Sequence, residues 1–459
     1  MLDVKATHPQ YDSNLSLWNR MNDAFAGEDA IKAKGEIYLP MPSGMKVIAD
    51  KIKQTNAFNA YKALAEFPEI VAPTIRGSAG LIHKEDTNIK LPKALEYLRD
   101  KATEDGLTLQ LFHQQITLSL LRQGRFVMMP GVSEGGQMYL AGYGAKSCTN
   151  WDTNWALFDE SGSERDQETG KWGEVRKFRE CYLNEAGVFT SRLWVKEDHK
   201  KDEFIPQEEV LATINGRNGL NVFPVVFAGT FDLSSNVDEV PLSGLASLAI
   251  RAYTLDADYR RTLHWTSSPQ PVITGVTKED APKTIGGNSL WILPGEGSKA
   301  EYLEFSGSGA GAQKEAIKDT LERGVMFGAQ LFADNNRAAE SGDAISLRLG
   351  AQRATLTTIS KSSAAALEQL LQYTAIWSGS NPDEVTVEPN TEFVDPELSP
   401  QEILALVSGW QSGAYSKLTL FDNLKRGGVI DGERSFEDEE DLILEESPDL
   451  SMAGRDGDS

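Results

Sequence analysis

Two long runs of helical periodicity, Lys314–Ala333 and Ala344–Trp377, are separated only by the polar segment Asp334–Asp343. The first places apolar or small residues at Ile317, Leu321, Val325, Phe327 and Leu331. The second repeats Ile345, Leu349, Leu356, Ile359, Ala366, Leu370 and Trp377 at threes, fours or their sums, the spacing of one helix face. About thirty uninterrupted helical residues span roughly 50 Å at 1.5 Å per residue, well beyond the usual three or four turns. The break, ADNNRAAESGD, is too small and polar for a core strand. Such a strut suits an assembly that must span a distance better than a small enzyme.

Composition narrows the classes. At 459 residues the chain has material for two or three domains and a real core. No run of eighteen apolar residues occurs, and the longest apolar patch, Val222–Gly229, is strand-sized and carries a proline, so no membrane span is expected. The first residues lack the apolar core and cleavage site of a secretory signal. Cys148 and Cys181 have no CxxC partner, which leaves neither a zinc ribbon nor a disulfide framework and reads as two small core residues.

The net charge of −23 argues against tight nucleic-acid binding, which gains affinity by neutralising phosphates with Lys and Arg. Residues 431–459 hold twelve acidic residues against two arginines and read as a solvated tail. The body without them stays acidic, near −13.

Along the chain, residues 1–44 read as an arm with a short amphipathic stretch at Leu15–Phe25. Asn59–Ile75 reads as a helix interrupted near Pro68, and Gly77–Ile82 as a turn or short strand. Leu91–Asp105 and Leu107–Gln123 are helix candidates; Thr108 is placed to cap the second, and Gly124 stands where a C-cap glycine belongs. Arg125–Met129 is a β-prone run closed by Pro130–Gly131. A β-rich part follows, with Val175–Leu183, Val188–Val195, Glu209–Ile214 and Val222–Phe227 as strands and Asn184–Gly187 as a hairpin loop. Pro241–Trp265 is a helix, Pro269–Phe305 short strands and turns, and Val385–Glu388 and Glu392–Val394 are strand-like. Gln401–Gln411 and Leu418–Lys425 form a last helical part. The class is α+β.

No catalytic constellation emerges. The five histidines, His8, His83, His113, His199 and His264, have no metal-type spacing, and structural hydrogen bonding accounts best for them. No GxSxG elbow is present. Gly307–Gly311 lacks the GxxxxGK[ST] ending of a phosphate loop and reads as a joint into a helix starting near Gln313. Asp152, Asp159 and Glu160 fit acidic surface residues better than a carboxylate pair. Arg348, Arg353 and Lys361, on or beside one face of the long helix, fit surface ion pairing better than phosphate contact. No cofactor, metal ligand or enzymatic activity is expected; acidity without catalytic residues also fits another capsid or adaptor structural protein, and a hydrolase with an unrecognised site is the alternative from a different class.

Several segments nevertheless share an order with a known family. LPKALEYLRDKATEDGLTLQLFHQQITLSLLRQGRFVMMPGV (91–132), MYLAGYGAKSCTNW (138–151) and PLSGLASLAIRAYTLDADYRRTLHWTSSPQPVITG (241–275) resemble portal proteins of tailed bacteriophages, most closely the portal-like family with the DUF4055 domain. The likeness spans roughly residues 61–428. It departs at Val127–Pro130, VMMP, where relatives tend to carry an acidic residue.

The resemblance implies a homo-oligomeric ring of about twelve copies at a capsid vertex, surrounding a channel for double-stranded DNA in packaging and ejection. It implies a terminase large subunit, a head-tail adaptor, and major capsid and scaffolding proteins as partners, with the protein in the virion after assembly in the host cytoplasm. By the same analogy residues 1–60 are an N-terminal arm, 61–240 a wing, 241–268 and 311–333 stem helices, and 269–310 a clip. Residues 334–343 become a tunnel loop, 344–398 the long wing helix with strands, 399–430 a crown, and 431–459 the acidic tail. The tunnel loop comprises Asp334, Asn335, Asn336, Arg337, Ala338, Ala339, Glu340, Ser341, Gly342 and Asp343, with Arg337 its one cation.

Overall fold

Pro9 begins the first helix at the position where a missing backbone N–H costs nothing, and His8 caps it by accepting from the Gln10 N–H at 3.1 Å. In the computed structural model that helix, α1 (Pro9–Ala26), is followed by α2 (Glu28–Ala33), α3 (Ser43–Lys46), α4 (Lys51–Leu64) and α5 (Val71–Ile82). The described residues are 2–133, 135–167, 169–196, 203–267, 270–277, 291, 293, 296–303, 308–326, 342–391, 393, 400–431 and 434–446. The chain divides into two units, Met1–Thr391 and Glu392–Ser459.

The N-terminal segment is not a loose arm. Trp18, Met21 and Ala24 of α1 are buried, and the Trp18 indole N–H donates to the Gln123 carbonyl at 3.0 Å. Gly77–Ile82, expected as a turn or strand, belongs to α5, which buries Val71, Ile75, Ala79 and Ile82 on one face. That burial outweighs the roughly 1 kcal/mol each glycine costs a helix.

Next come β1 (Asn88–Lys90), a 3-10 turn at Lys93–Arg99 and α6 (Leu109–Gln123). The longer helix expected over Leu91–Asp105 is only that 3-10 turn. α6 forms as the sequence implies: Thr108 Oγ1 accepts from the Leu111 N–H, and Gly124 ends it at φ 69°.

Two antiparallel sheets follow. β2 (Arg125–Val132) lies between β3 (Met138–Gly144) and the later β14 (Val226–Gly229). It runs straight through Pro130, expected to end it. The Leu140 N–H opposite donates to Ala102 rather than across the ladder, and β14 pairs no further than Met128, so Pro130 lacks no required donor.

The larger sheet takes β4 (Cys148–Asp152), β5 (Trp155–Asp159), β8 (Lys177–Leu183) and β9 (Phe189–Lys196), with β10 (Phe204–Pro206) and β11 (Val210–Leu211) along β9's free edge. Between β5 and β8 an exposed hairpin, β6 (Gly162–Arg165) and β7 (Trp172–Val175), leaves the body. The turn from β8 into β9 is the expected one: Asn184 Oδ1 accepts from Ala186 and Val188, and Gly187 adopts φ 70°. β12 (Thr213–Ile214) and β13 (Asn218–Gly219) form a small ribbon. Val127, Met129, Trp151, Phe158, Phe189 and Phe227 form part of one apolar core shared by both sheets.

The Arg125 side chain is buried beside that core. Its guanidinium lies 4.1 Å from the Trp151 ring and 5.0 Å from Phe227, and donates to the carbonyls of Ser235 and Asn236. His8 stacks on Trp151 at 4.0 Å, which ties the N-terminal segment to the sheet.

The remaining elements are α7 (Ser243–Thr266), β15 (Gln270–Thr274), β16 (Lys299–Leu303), α8 (Ser308–Met326), α9 (Gly342–Ser378), β17 (Thr386–Glu388), and in the second unit α10 (Pro400–Gln411), α11 (Lys417–Arg426) and α12 (Phe436–Glu446). β17 pairs with β1. Among the described residues, no helix is long and apolar enough to cross a membrane. The acidic end is not wholly a tail. α12 folds within it, its Phe436 edge-on to Phe421 at 5.4 Å and Glu440 paired to Lys417 at 2.9 Å. Of the expected strand Glu392–Val394, only Phe393 is among the described residues, and it is not in a strand.

Candidate functional site: a helix–ribbon–helix module and a long helix

α7 is amphipathic through small residues. Leu245, Ala246, Ala249, Ala252, Tyr253 and Ala257 are buried, and the alanines let neighbouring helices approach closely. α1, α4, α5 and α8 all pack on it. Polar ties fix its axis: Tyr61 donates to Asp258 at 2.7 Å, the Glu66 N–H to Asp256 at 2.7 Å, and Arg260 bridges Asp256 and Glu66 at 2.8 and 2.5 Å. The Tyr61 hydroxyl is held protonated by burial first and by Asp258 second. Towards its end α7 emerges, with Leu263, His264 and Trp265 exposed.

β15 and β16 pair in register from Gln270↔Leu303 to Thr274↔Lys299 and form a two-stranded ribbon. α8 then returns along α7. A Cβ at Gly324, near the end of α8, would stand 3.6 Å from Leu245, near the start of α7, so the helices are antiparallel. α8 begins at Ser308, so Ser308–Gly311, expected to be a joint, are helical. Its surface charges pair locally, Lys318 with Glu315 and Glu322 at 3.6 and 4.0 Å, exposed contacts of little energetic weight.

The 37 residues of α9 extend about 55 Å. From Leu356 to Ala375 the helix is buried on most sides, consistent with a helix threaded through a body. Ser362 donates to Gly229 O at 2.7 Å, Ser360 to Asn390 O at 2.5 Å, and Glu368 accepts from the Val387 N–H at 2.8 Å. His113 of α6 reaches Ser363 with Nε2 at 3.2 Å and Thr87 with Nδ1 at 2.9 Å. Because Ser363 already donates to Ser360 O, His113 Nε2 must donate to Ser363 and Nδ1 accept from Thr87. His83 sits edge-on to His113 at 4.7 Å and contacts Thr117 at 2.8 Å. Burial lowers both imidazoles, to about 4 for His83 and about 3 for His113, so both are neutral.

Of the sequence-predicted loop, Asp334, Asn335, Asn336, Arg337, Ala338, Ala339, Glu340 and Ser341 lie outside the described residues. Gly342 and Asp343 are not loop: they open α9. Arg348 and Arg353 fall in α9, in the stretch whose side chains are outside the described residues, and Lys361 is exposed. His199 also lies outside the described residues. Asp152, Asp159 and Glu160 do not meet as a catalytic group: Glu160 accepts from Tyr143 at 2.7 Å and pairs with Arg179 at 2.7 and 3.2 Å. Among the described residues, no group of three or more His, Cys, Asp or Glu side chains could hold a metal ion.

One family matches, the domain of unknown function DUF4055, over residues 241–378. The matched stretch starts two residues before α7 and stops at the last residue of α9, which makes it coextensive with this module. No curated protein matches. Two solved structures are similar at low level: the neck of an empty GTA particle computed with C6 symmetry (10% identity, TM-score 0.37) and the neck of a native GTA particle computed with C12 symmetry (11%, 0.32). Each comparison covers 76% of this chain and 88% of the other.

Proposed function

We propose that this chain is a portal protein, a ring-forming subunit whose copies surround a channel for double-stranded DNA at a capsid vertex. One observation carries the reading: two antiparallel helices joined through a two-stranded ribbon, then a 37-residue helix, all within the DUF4055 match. In the portal resemblance these are the stem, clip and long wing helix, in that order. Residues 399–430 take the crown role, and the segment 334–341, before α9, the narrowest part of the channel. The role is non-enzymatic; a terminase large subunit and later a head-tail adaptor dock on it, capsid and scaffolding proteins are its other partners, and the assembled ring resides in the virion.

The charge supports this use. DNA must slide in both directions, and strong counterion-releasing contacts would act as brakes. A chain at −23 avoids them. Arg337 then makes only weak, transient phosphate contact; normal packaging rate and amount in Arg337→Glu would show that this contact is dispensable. Electron microscopy of the purified full-length protein tests the whole reading. Rings with an open axial hole are expected, and a monomer or dimer under all conditions overturns it.

A further inference from the structure

Arg76 of α5 and Arg122, in the last turn of α6, converge on one aromatic ring. Their guanidinium carbons lie 5.1 and 5.2 Å from the centroid of Phe25 in α1. Two like charges held at one ring repel each other, and folded proteins usually relieve this with a carboxylate. The chain has 68 acidic residues to draw on. Arg99, Arg179 and Arg260 all use one. Among the described residues, neither Arg76 nor Arg122 pairs with a carboxylate.

The site is also short of acceptors. Arg122 Nε is shut off from solvent and has no hydrogen-bond partner. Burial is what lowers the Arg122 guanidinium from its ordinary value. Arg76 is exposed and Arg122 half-buried, so the pair opens on the surface with N–H groups unspent. A ring face that holds guanidinium groups near it limits their freedom, and planar, oriented donors suit two-point binding of a carboxylate.

We infer that Arg76 and Arg122 form a receptor for a carboxylate carried by a second copy of this chain. Copies each at −23 repel, so a contact between them gains from setting cations against acids, and two arginines that pair with no carboxylate among the described residues offer that complement. The inference rests on the ring reading and adds where one copy holds the next. A DNA phosphate is the competing oxyanion, disfavoured by the acidity of the body.

The test compares full-length wild type with the Arg76→Gln/Arg122→Gln and Arg76→Lys/Arg122→Lys variants, using mass photometry across a dilution series and electron microscopy of the products. The glutamine pair should need about tenfold more protein to half-assemble, as expected for losing a charged contact at an interface. The lysine pair should recover part of that difference. Thermal melts check folding; if the double variant does not fold, Arg76→Gln alone, at an exposed position, should shift assembly by about threefold. Ring formation by folded glutamine variants at the wild-type concentration overturns the inference and leaves the portal reading standing. Unchanged assembly with weakened retention of a 30-base-pair duplex overturns it in favour of phosphate. A wild type that never forms rings overturns both.

Discussion

Cys148 and Cys181 lie in the apolar core shared by the two sheets, both with no exposed surface. Burial pushes the Cys148 thiol up to about 11 despite Arg125 nearby, and raises Cys181 as well. A thiolate is the reactive form, so both should be inert in the folded protein. Titration with an aromatic disulfide reagent should give no release in buffer and two equivalents in denaturant. The histidine pair gives a second outcome. Their folded values lie below the usual 6.5, so the unfolded chain takes up protons first as pH falls. Their stabilising effect is complete above about pH 6.5 and declines towards pH 4 and 3, by roughly 1.4 kcal/mol per pH unit for each histidine. Urea titrations between pH 7 and 4.5 should show a shallower pH slope in His113→Gln than in wild type. The sequence places His113 on a helix but cannot show its partner Ser363, 250 residues away.

Among elements, the ends of α6 were legible because capping is local chemistry: Thr108 supplies an oxygen and Gly124 a left-handed turn. A Cβ at Gly124 would stand 2.8 Å from the Glu239 carbonyl, so Gly124→Ala combines backbone strain with a clash. A loss of about 2 kcal/mol or more in denaturant midpoint analysis is expected. The β8–β9 hairpin was legible for the same reason, through Asn184 and Gly187. α1 and α5 were not, because their helicity depends on what covers them. Leu15–Phe25 looked like part of an arm until Trp18 met Gln123, and Gly77 and Gly80 hid a helix whose face is paid for by distant packing. Trp18→Ala should cost roughly 3–5 kcal/mol, as expected for emptying a fully buried indole site. Of the candidate site, helical periodicity revealed the extents of α7 and α9, while the start of α8 was obscured by glycines read as a joint, and residues 327–333 of the helix expected over Lys314–Ala333 lie outside the described residues.

For the whole molecule the decisive quantity is charge. At −23 the chain should hold a 30-base-pair duplex no more tightly than the weak end of non-specific binding, a Kd of about 10⁻⁴ M or above at physiological salt. Fluorescence anisotropy of a labelled duplex measures this; submicromolar binding would contradict a channel that lets DNA slide. The module at 241–378 is also no appendage. Asn88–Lys90 pair with Thr386–Glu388, and Asn88 donates to Glu388 across 300 residues. Three residue pairs of that ribbon join the chain on either side of the module.

That closure makes time a variable. β1 leaves the ribosome long before the strand it needs. At about 5–20 residues per second its partner appears roughly 15–60 s later. During that interval the edge of β1 that pairs with β17 in the finished fold has no strand beside it.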